Sequence, residues 1–487
     1  MKKMTLLLLL LPFLGLGQVQ IGQDIDGLSN SDRFGESISV SSDGSVVAIG
    51  GVGNNSGGNS NTGYVSIYEN IGGVWTQIGS DINGVELNDR FGISVSLSSD
   101  GSIVAIGASR NDGNGEDSGL VQIYQNVDNI WIQMGQDIYG SFQLVNGQEI
   151  GERFGVGLNL SSDGSTLAIG SLFGNFLTGN VRIYQFQTGT WIQVGNDING
   201  GSQEDNFGIS VSLSSDGSIV AIGAHFNDEN GNNSGKVKVY ENINGIWTQL
   251  GLDINGEAEN DNLGFSVSLS SDGSVVAVGA MYSNNFIGKV RVYKYESDSW
   301  TKLGQDINGE AINDFFGWSV SISSDGLIVV VGAPGNDEFG TNSGRVNIFN
   351  FINTDWIQIG NDIDGLAATE GVGESVSISS DGNIIAFGAI GANMTGQARV
   401  YDLSALLSVN NLLNIDFSIY PNPTKNQFTI QLDPSVELQK VMIYNILGQA
   451  VLISEEKTIN TSKLSSGSYI VEIITNKGKS SKQLIIE

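Results

Sequence analysis

Between residues 91 and 108 the chain alternates and then becomes continuously apolar. Ile93, Val95 and Leu97 are separated by Ser94, Ser96 and Ser98, the period-two pattern of a strand. Asp100-Gly101 follows and predicts a tight hairpin, because glycine accepts the positive φ that such turns demand. Ile103 to Ala108 is nearly all apolar, as expected of a strand buried on both faces. A polar loop leads to a third alternating strand at Gly119 to Tyr124, and a short turn to a fourth at Trp131-Ile-Gln-Met-Gly135.

The pattern recurs. Phe91 to Ala108 returns almost verbatim at Phe207 to Ala224, and the Asp of the Ser-Asp-Gly turn falls at Asp43, Asp100, Asp163, Asp216, Asp272, Asp325 and Asp381. Trp75, Trp131, Trp191, Trp247, Trp300 and Trp356 keep the same step. Seven units of four short strands predict an all-β fold, a seven-bladed β-propeller over residues 18–402. Serine, glycine and alanine on the inner strands let sheets approach near a crowded axis, and tryptophan and tyrosine fill the wider periphery. The last unit has no Trp-x-Gln-x-Gly strand after Tyr401, whereas Gln18-Val-Gln-Ile-Gly22 aligns with Trp75-Thr-Gln-Ile-Gly79. The N-terminal strand is therefore expected to complete the seventh blade, with Gln18 in the tryptophan position.

At Phe91-Gly92, Phe154-Gly155, Phe207-Gly208 and Phe316-Gly317, and at Gly332-Ala333-Pro334, the chain resembles the FG-GAP repeats of integrin α-subunit head domains. Calcium-binding members of that family carry Asp-x-Asp-x-Asp-Gly-x-x-Asp, whereas this chain has Ser96-Leu-Ser98-Ser-Asp100-Gly-Ser-Ile-Val104. One carboxylate per unit makes a turn and no metal site, since calcium takes six to eight oxygen ligands.

Two segments flank the repeats. Lys2 and Lys3, the apolar run from Leu6 to Leu16, and the small residues Gly15 and Gly17 predict a secretory signal at residues 1–17. Residues 403–414 are expected to be a linker. Over residues 415–487 strands are predicted at Phe428 to Leu432, Lys440 to Tyr444, Tyr469 to Ile474 and Gln483 to Ile486, a small antiparallel sandwich. Here Tyr420-Pro-Asn-Pro423, Tyr444-Asn-Ile-Leu-Gly-Gln449, Leu464-Ser-Ser-Gly-Ser-Tyr469 and Lys482-Gln-Leu-Ile-Ile486 resemble the type A C-terminal sorting domain of the type IX secretion system. That resemblance implies the type IX machinery as a partner, and release or surface attachment outside a Gram-negative cell of the Bacteroidetes type. An appended Ig-like binding module is the alternative.

Composition narrows the function. The net charge is −30, and residues 18–414 hold 13 basic against 45 acidic residues, which opposes nucleic acid and anionic membrane as partners. Cysteine is absent and histidine occurs once, at His225, which reads as a surface residue at a loop start and not as a general base. No catalytic residue, metal ligand or cofactor is assigned. Strand parity puts the second-to-third strand loops and the blade crossovers on one face, the default recognition surface. Three of those loops have equal length and carry Asp112, Glu116 and Asp117, Asp228 and Glu229, and Asp337 and Glu338 as candidate ligand contacts. Calcium is an option there, as carboxylates and amides suit it, although no recognised ligand spacing is present. The leading expectation is a non-enzymatic exported propeller that binds an extracellular glycan or protein, in adhesion or substrate capture. A polysaccharide-active enzyme using face carboxylates and a structural surface-layer component are the alternatives.

Overall fold

A computed structural model describes residues 17–53, 62–145, 147–410, 417–432, 436–445, 449–475 and 478–487. They form two compact units, Gly17–Leu403 and Ser404–Glu487. The signal expected at residues 1–17 lies outside the described residues except for Gly17.

In the larger unit seven antiparallel sheets share one plan. The second is representative: Phe91–Leu97, Ile103–Ala108, Leu120–Val127 and Ile130–Gln133 pair in order, and Ile138–Tyr139 continues the outer edge on the third strand. Each core lies between adjacent sheets, as where Val65 and Ile67 of the first meet Val104 and Ile106 of the second. In the seventh sheet Val19–Gln20 and Ile25–Asp26 pair with Gln397–Asp402. The chain thereby closes its own ring, a β-propeller whose last blade is completed by the N-terminal strands.

The alternating serines have a definite task. At the Asp-Gly end a closed cycle of backbone bonds circles the axis. The amide of Ser42 donates to Ser99, Ser99 to Ser162, Ser162 to Ser215, Ser215 to Ser271, Ser271 to Ser324, Ser324 to Ser380 and Ser380 back to Ser42, all at 2.8–3.0 Å. A second ring uses side chains. The Oγ of Ser39, Ser96, Ser212, Ser268, Ser321 and Ser377, and the Oδ1 of Asn159, each accept an amide of the neighbouring sheet at 2.8–3.2 Å. In a third ring Ser37, Ser94, Ser210, Ser266, Ser319 and Ser375 donate to the carbonyl of a neighbouring Phe-Gly or Leu-Gly or Val-Gly glycine. Gly157 occupies that position in the third sheet, so one rung is missing. The close approach also explains the glycine of Gly-Ala: a Cβ on Gly107 would lie 2.2 Å from the Gly155 carbonyl of the next sheet.

The periphery repeats the device with larger groups. The indole Nε1 of Trp75, Trp131, Trp191, Trp247, Trp300 and Trp356 each donates to a carbonyl of the preceding unit at 2.8–3.0 Å. Gln18 takes the seventh place, its Nε2 donating to the Asn361 carbonyl (2.6 Å) and its Oε1 accepting the Asn361 amide (3.1 Å).

The segment expected as a linker begins with a short helix, Ser404–Asn410. The remainder of the smaller unit is a two-sheet sandwich. Gln427–Leu432 lies between Phe417–Tyr420 and Thr458–Asn460, and the second sheet runs Ala450–Ser454, Leu438–Tyr444, Gly467–Thr475, Gly478–Ile486. Phe417, Phe428, Val441, Ile459, Val471 and Leu484 fill the space between them.

Candidate functional site

The loops after each second strand end in a glycine that bridges to the start of the next unit, as at Gly119 with Phe154 and Gly344 with Val372. This holds the loops and the blade crossovers together on one face, called the upper face here. Two residues before each of those starting positions stands a buried acid: Asp32, Asp89, Glu152, Asp205, Asp261, Asp314 and Glu370. Sequence reasoning passed over this series, although an acid at a fixed offset in seven units was visible. These acids brace the crossovers. Asp314 accepts the amide of Ala311 (3.1 Å), and Glu370 accepts that of Leu366 (3.0 Å) and the guanidinium of Arg399 (3.2 Å). In the second, fourth and sixth units Asp89, Asp205 and Asp314 accept the Nδ2 of Asn111, Asn227 and Asn336. Burial raises the pKa of all three carboxyls, that of Asp89 to about 6.

The acids singled out in the sequence sit on the three loops that these asparagines anchor. Asp112, Asp228 and Asp337 are exposed and accept amides inside their own loops, from Asp117, Asn233 and Asn342 at 2.7–2.8 Å. Glu229 pairs with Lys236, Glu338 reaches Arg345 at 3.9 Å, and Asp117 pairs with Arg153 at 3.1 Å. Glu116 is exposed. They are spread over three non-adjacent units and are not brought together. Among the described residues no three acidic or histidine side chains converge as metal ligands do.

His225 corrects the sequence reading. It is 4% exposed and packed between Phe226 (ring centroids 3.9 Å apart) and Phe265 (5.4 Å). Burial in that apolar setting lowers its pKa to about 4, so it is neutral at physiological pH. The loop that carries it folds back over the neighbouring unit, which the lone residue in the sequence did not reveal.

His225 belongs to a larger aromatic arc near the axis. Phe265 meets Trp318 at 5.0 Å, Trp318 meets Phe315 at 6.2 Å, and Phe315 meets Tyr282 and Phe286 at 5.9 and 6.0 Å. A cleft of about 550 Å³ at one end is lined by Phe226, Asn262, Tyr282 and Phe286, among others. A second, of about 290 Å³, lies against Phe315, Trp318, Pro334, Ile390 and Glu374. Glu374 opens the other half of the mouth, which is charged. Arg33 pairs with Glu36 (2.6 Å) and reaches Glu374 (3.8 Å), and Arg90 pairs with Glu36 (3.2 Å). Burial and the neighbouring Glu36 hold the Glu374 carboxyl well above the ordinary carboxylate range, against the opposing pull of Arg33 and Arg90. Burial lowers the Arg90 pKa, and the nearby positive charges of Arg110, Arg33 and Arg153 add to the effect against the pull of Glu36.

The contrast with the scaffold is sharp. Serine, glycine and Asp-Gly positions are nearly identical in all units. The residue before the Phe-Gly position is instead Arg33, Arg90, Arg153, Asn206, Asn262, Phe315 or Gly371. The residue after it is Glu36, Ile93, Val156, Ile209, Phe265, Trp318 or Glu374. A symmetric ring thus carries an asymmetric mouth, basic on one side and aromatic on the other.

Two family models match parts of the chain. A family model described as FG-GAP repeat matches residues 83–124, 199–240 and 308–349, and one described as secretion system C-terminal sorting domain matches residues 418–487. The chain carries FG-GAP repeats and a type IX sorting tail, which directs export to the cell surface or the medium. No helix among the described residues is long and apolar enough to cross a membrane. Over 95 residues the chain is 35% identical to an ulvan lyase of Nonlabens ulvanivorans, a match covering 18% of this chain and 17% of that enzyme. Among solved structures, hydrazine synthase of Kuenenia stuttgartiensis is similar with a TM-score of 0.47 and 14% identity, over 76% of this chain and 94% of that one.

Proposed function

We propose that this exported propeller binds an extracellular glycan or protein on its upper face, in adhesion or substrate capture. The observation that supports this most is the asymmetric mouth. Turn formation and ring closure need only the repeated residues, so neither accounts for aromatic rings left partly open beside two clefts. Rigid sheets carrying divergent loop residues are the usual arrangement of a recognition surface. A pull-down from host-environment extracts and a glycan array, both with the full chain, test the reading. Binding that survives Trp318→Ala and Phe286→Ala would remove the upper face from consideration.

A polysaccharide-active enzyme is the second reading, favoured by one feature. Glu374 is held toward its protonated form beside Glu36, and Arg33 contacts both. A protonated carboxyl in the company of a carboxylate is one pairing that acid–base cleavage of sugars uses. A polysaccharide degradation screen with Glu374→Gln and Glu36→Gln decides it. Turnover lost in either variant would replace binding with catalysis.

A further inference from the structure

We infer that the mouth of the upper face takes an acidic sugar segment, its carboxylate or sulfate group seated at the arginines and adjoining sugar rings laid on the aromatic arc. This rests on the reading of the upper face as a binding surface and names its ligand class. Four of the chain's eight arginines, Arg33, Arg90, Arg110 and Arg153, gather at this one place in a chain of net charge −30. The other four, Arg182, Arg291, Arg345 and Arg399, stand on the third strands and are consumed in ion pairs with Glu152, Asp306, Asp364 and Glu370. At the mouth the pairing is incomplete. Glu36 serves both Arg33 and Arg90, Asp117 serves Arg153, and among the described residues Arg110, which is exposed, has no ion-pair partner. A planar guanidinium set is suited to carboxylate or sulfate oxygens, which it grips through paired N–H donors.

The aromatic half supplies the second requirement. Pyranose rings present apolar C–H faces that stack on aromatic rings, and Phe265, Trp318 and Phe315 offer partly open rings continuous with the second cleft. Glu374 lines that cleft and lies 3.8 Å from Arg33, so the stacking and charged halves adjoin. The charge of the whole chain adds a restriction. A densely charged polymer is repelled by the surrounding acidic surface, whereas a chain with isolated acidic groups meets only the local arginines. The favoured ligand is a sparsely acidic polysaccharide and not a heparin-like one.

The test uses the full chain on an array of neutral, uronate-bearing and sulfate-bearing glycans, with an acidic decapeptide as a further probe. Glucuronoxylan and its carboxyl-reduced form provide a matched pair in solution. Wild type is compared with Arg33→Gln/Arg110→Gln/Arg153→Gln, which leaves the Arg90–Glu36 pair intact, and with Trp318→Phe. Unchanged melting temperatures establish that the variants fold. Binding of sparsely acidic glycans that weakens about tenfold or more in the arginine variant, with a fluorescence change absent from Trp318→Phe, is the expected result. Equal binding of acidic and neutral glycans overturns the inference while leaving glycan binding in place. Preference for the acidic peptide overturns the glycan assignment alone. Binding to none of these probes, with partners captured elsewhere on the chain, overturns the inference together with the upper-face reading.

Discussion

Removing residues 18–26 reopens the ring, and the structure sets the scale of the damage. The deletion takes away the hydrogen bond that the Ile21 amide donates to the Val400 carbonyl (2.8 Å), the carbonyl that accepts the Trp75 indole (2.8 Å), and the two hydrogen bonds between Gln18 and Asn361. It also removes the bond from Gln397 to Asp26 (2.7 Å). At about 0.5–1.5 kcal/mol each, these five bonds contribute roughly 2.5–7.5 kcal/mol. Ile25, 4% exposed within a cluster that includes Ala398 and Val400, adds about 1.5–3 kcal/mol of apolar burial. The total is comparable to the whole stability of an ordinary domain, about 5–15 kcal/mol. Differential scanning calorimetry should show a melting temperature lower by about ten degrees or more, or no cooperative transition. Ile25→Ala, expected to cost about 2–5 kcal/mol, gives a graded version that still folds. A deletion variant melting with the wild type would show that the N-terminal strand is not what closes the ring.

Other perturbations follow from the same geometry. Ser212→Ala strips the acceptor from the Leu269 amide (2.9 Å) and should cost about 1–3 kcal/mol in denaturant unfolding, whereas Ser202→Ala, at an exposed position, should cost little. Asp89, with its folded pKa raised to about 6, holds its proton in the folded state between its ordinary value of 3.8 and about 6. The unfolded chain releases that proton, so this group's stabilising contribution falls as pH rises through the window. Asp89→Asn should therefore gain stability over wild type as pH climbs from 4 to 6 and hold that gain above 6, read as melting temperature against pH. Met1–Gly17 and residues 412–487 fused around a passive fluorescent protein should carry it to the surface or medium of the native host. Retention of that fusion inside the cell would turn the tail back into an appended module.

The repeat made most of the fold legible. Alternating serines, the Asp-Gly turn and the tryptophan step are local signals, each tied to strand period or turn geometry, and they recur often enough to place the sheets. The roles of the serines were not legible, because a hydroxyl that bonds across to the next sheet looks like a hydroxyl facing water. Three strands of the smaller unit, Phe417–Tyr420, Ala450–Ser454 and Thr458–Asn460, were missed because they are short and partly exposed. The proposed site was legible only as a face. Asp112, Asp228 and Asp337 stand out in the sequence because they are acidic and repeated, yet they accept hydrogen bonds within their own loops. Arg33, Glu374, Phe265 and Trp318 come from different units and meet only when the ring closes. Positions where the repeat varies on an unvarying backbone were the signal that could have found them.

Hydrogen–deuterium exchange of the full chain, with and without a captured ligand, tests the central claim most directly. Protection should fall on the crossovers and loops of the upper mouth, at residues 30–36, 262–265 and 313–318. The serine ring at the Asp-Gly end and the segment 417–487 should exchange as before. Protection centred on the Asp-Gly turns or on the C-terminal sandwich, with the upper mouth unchanged, would contradict the account.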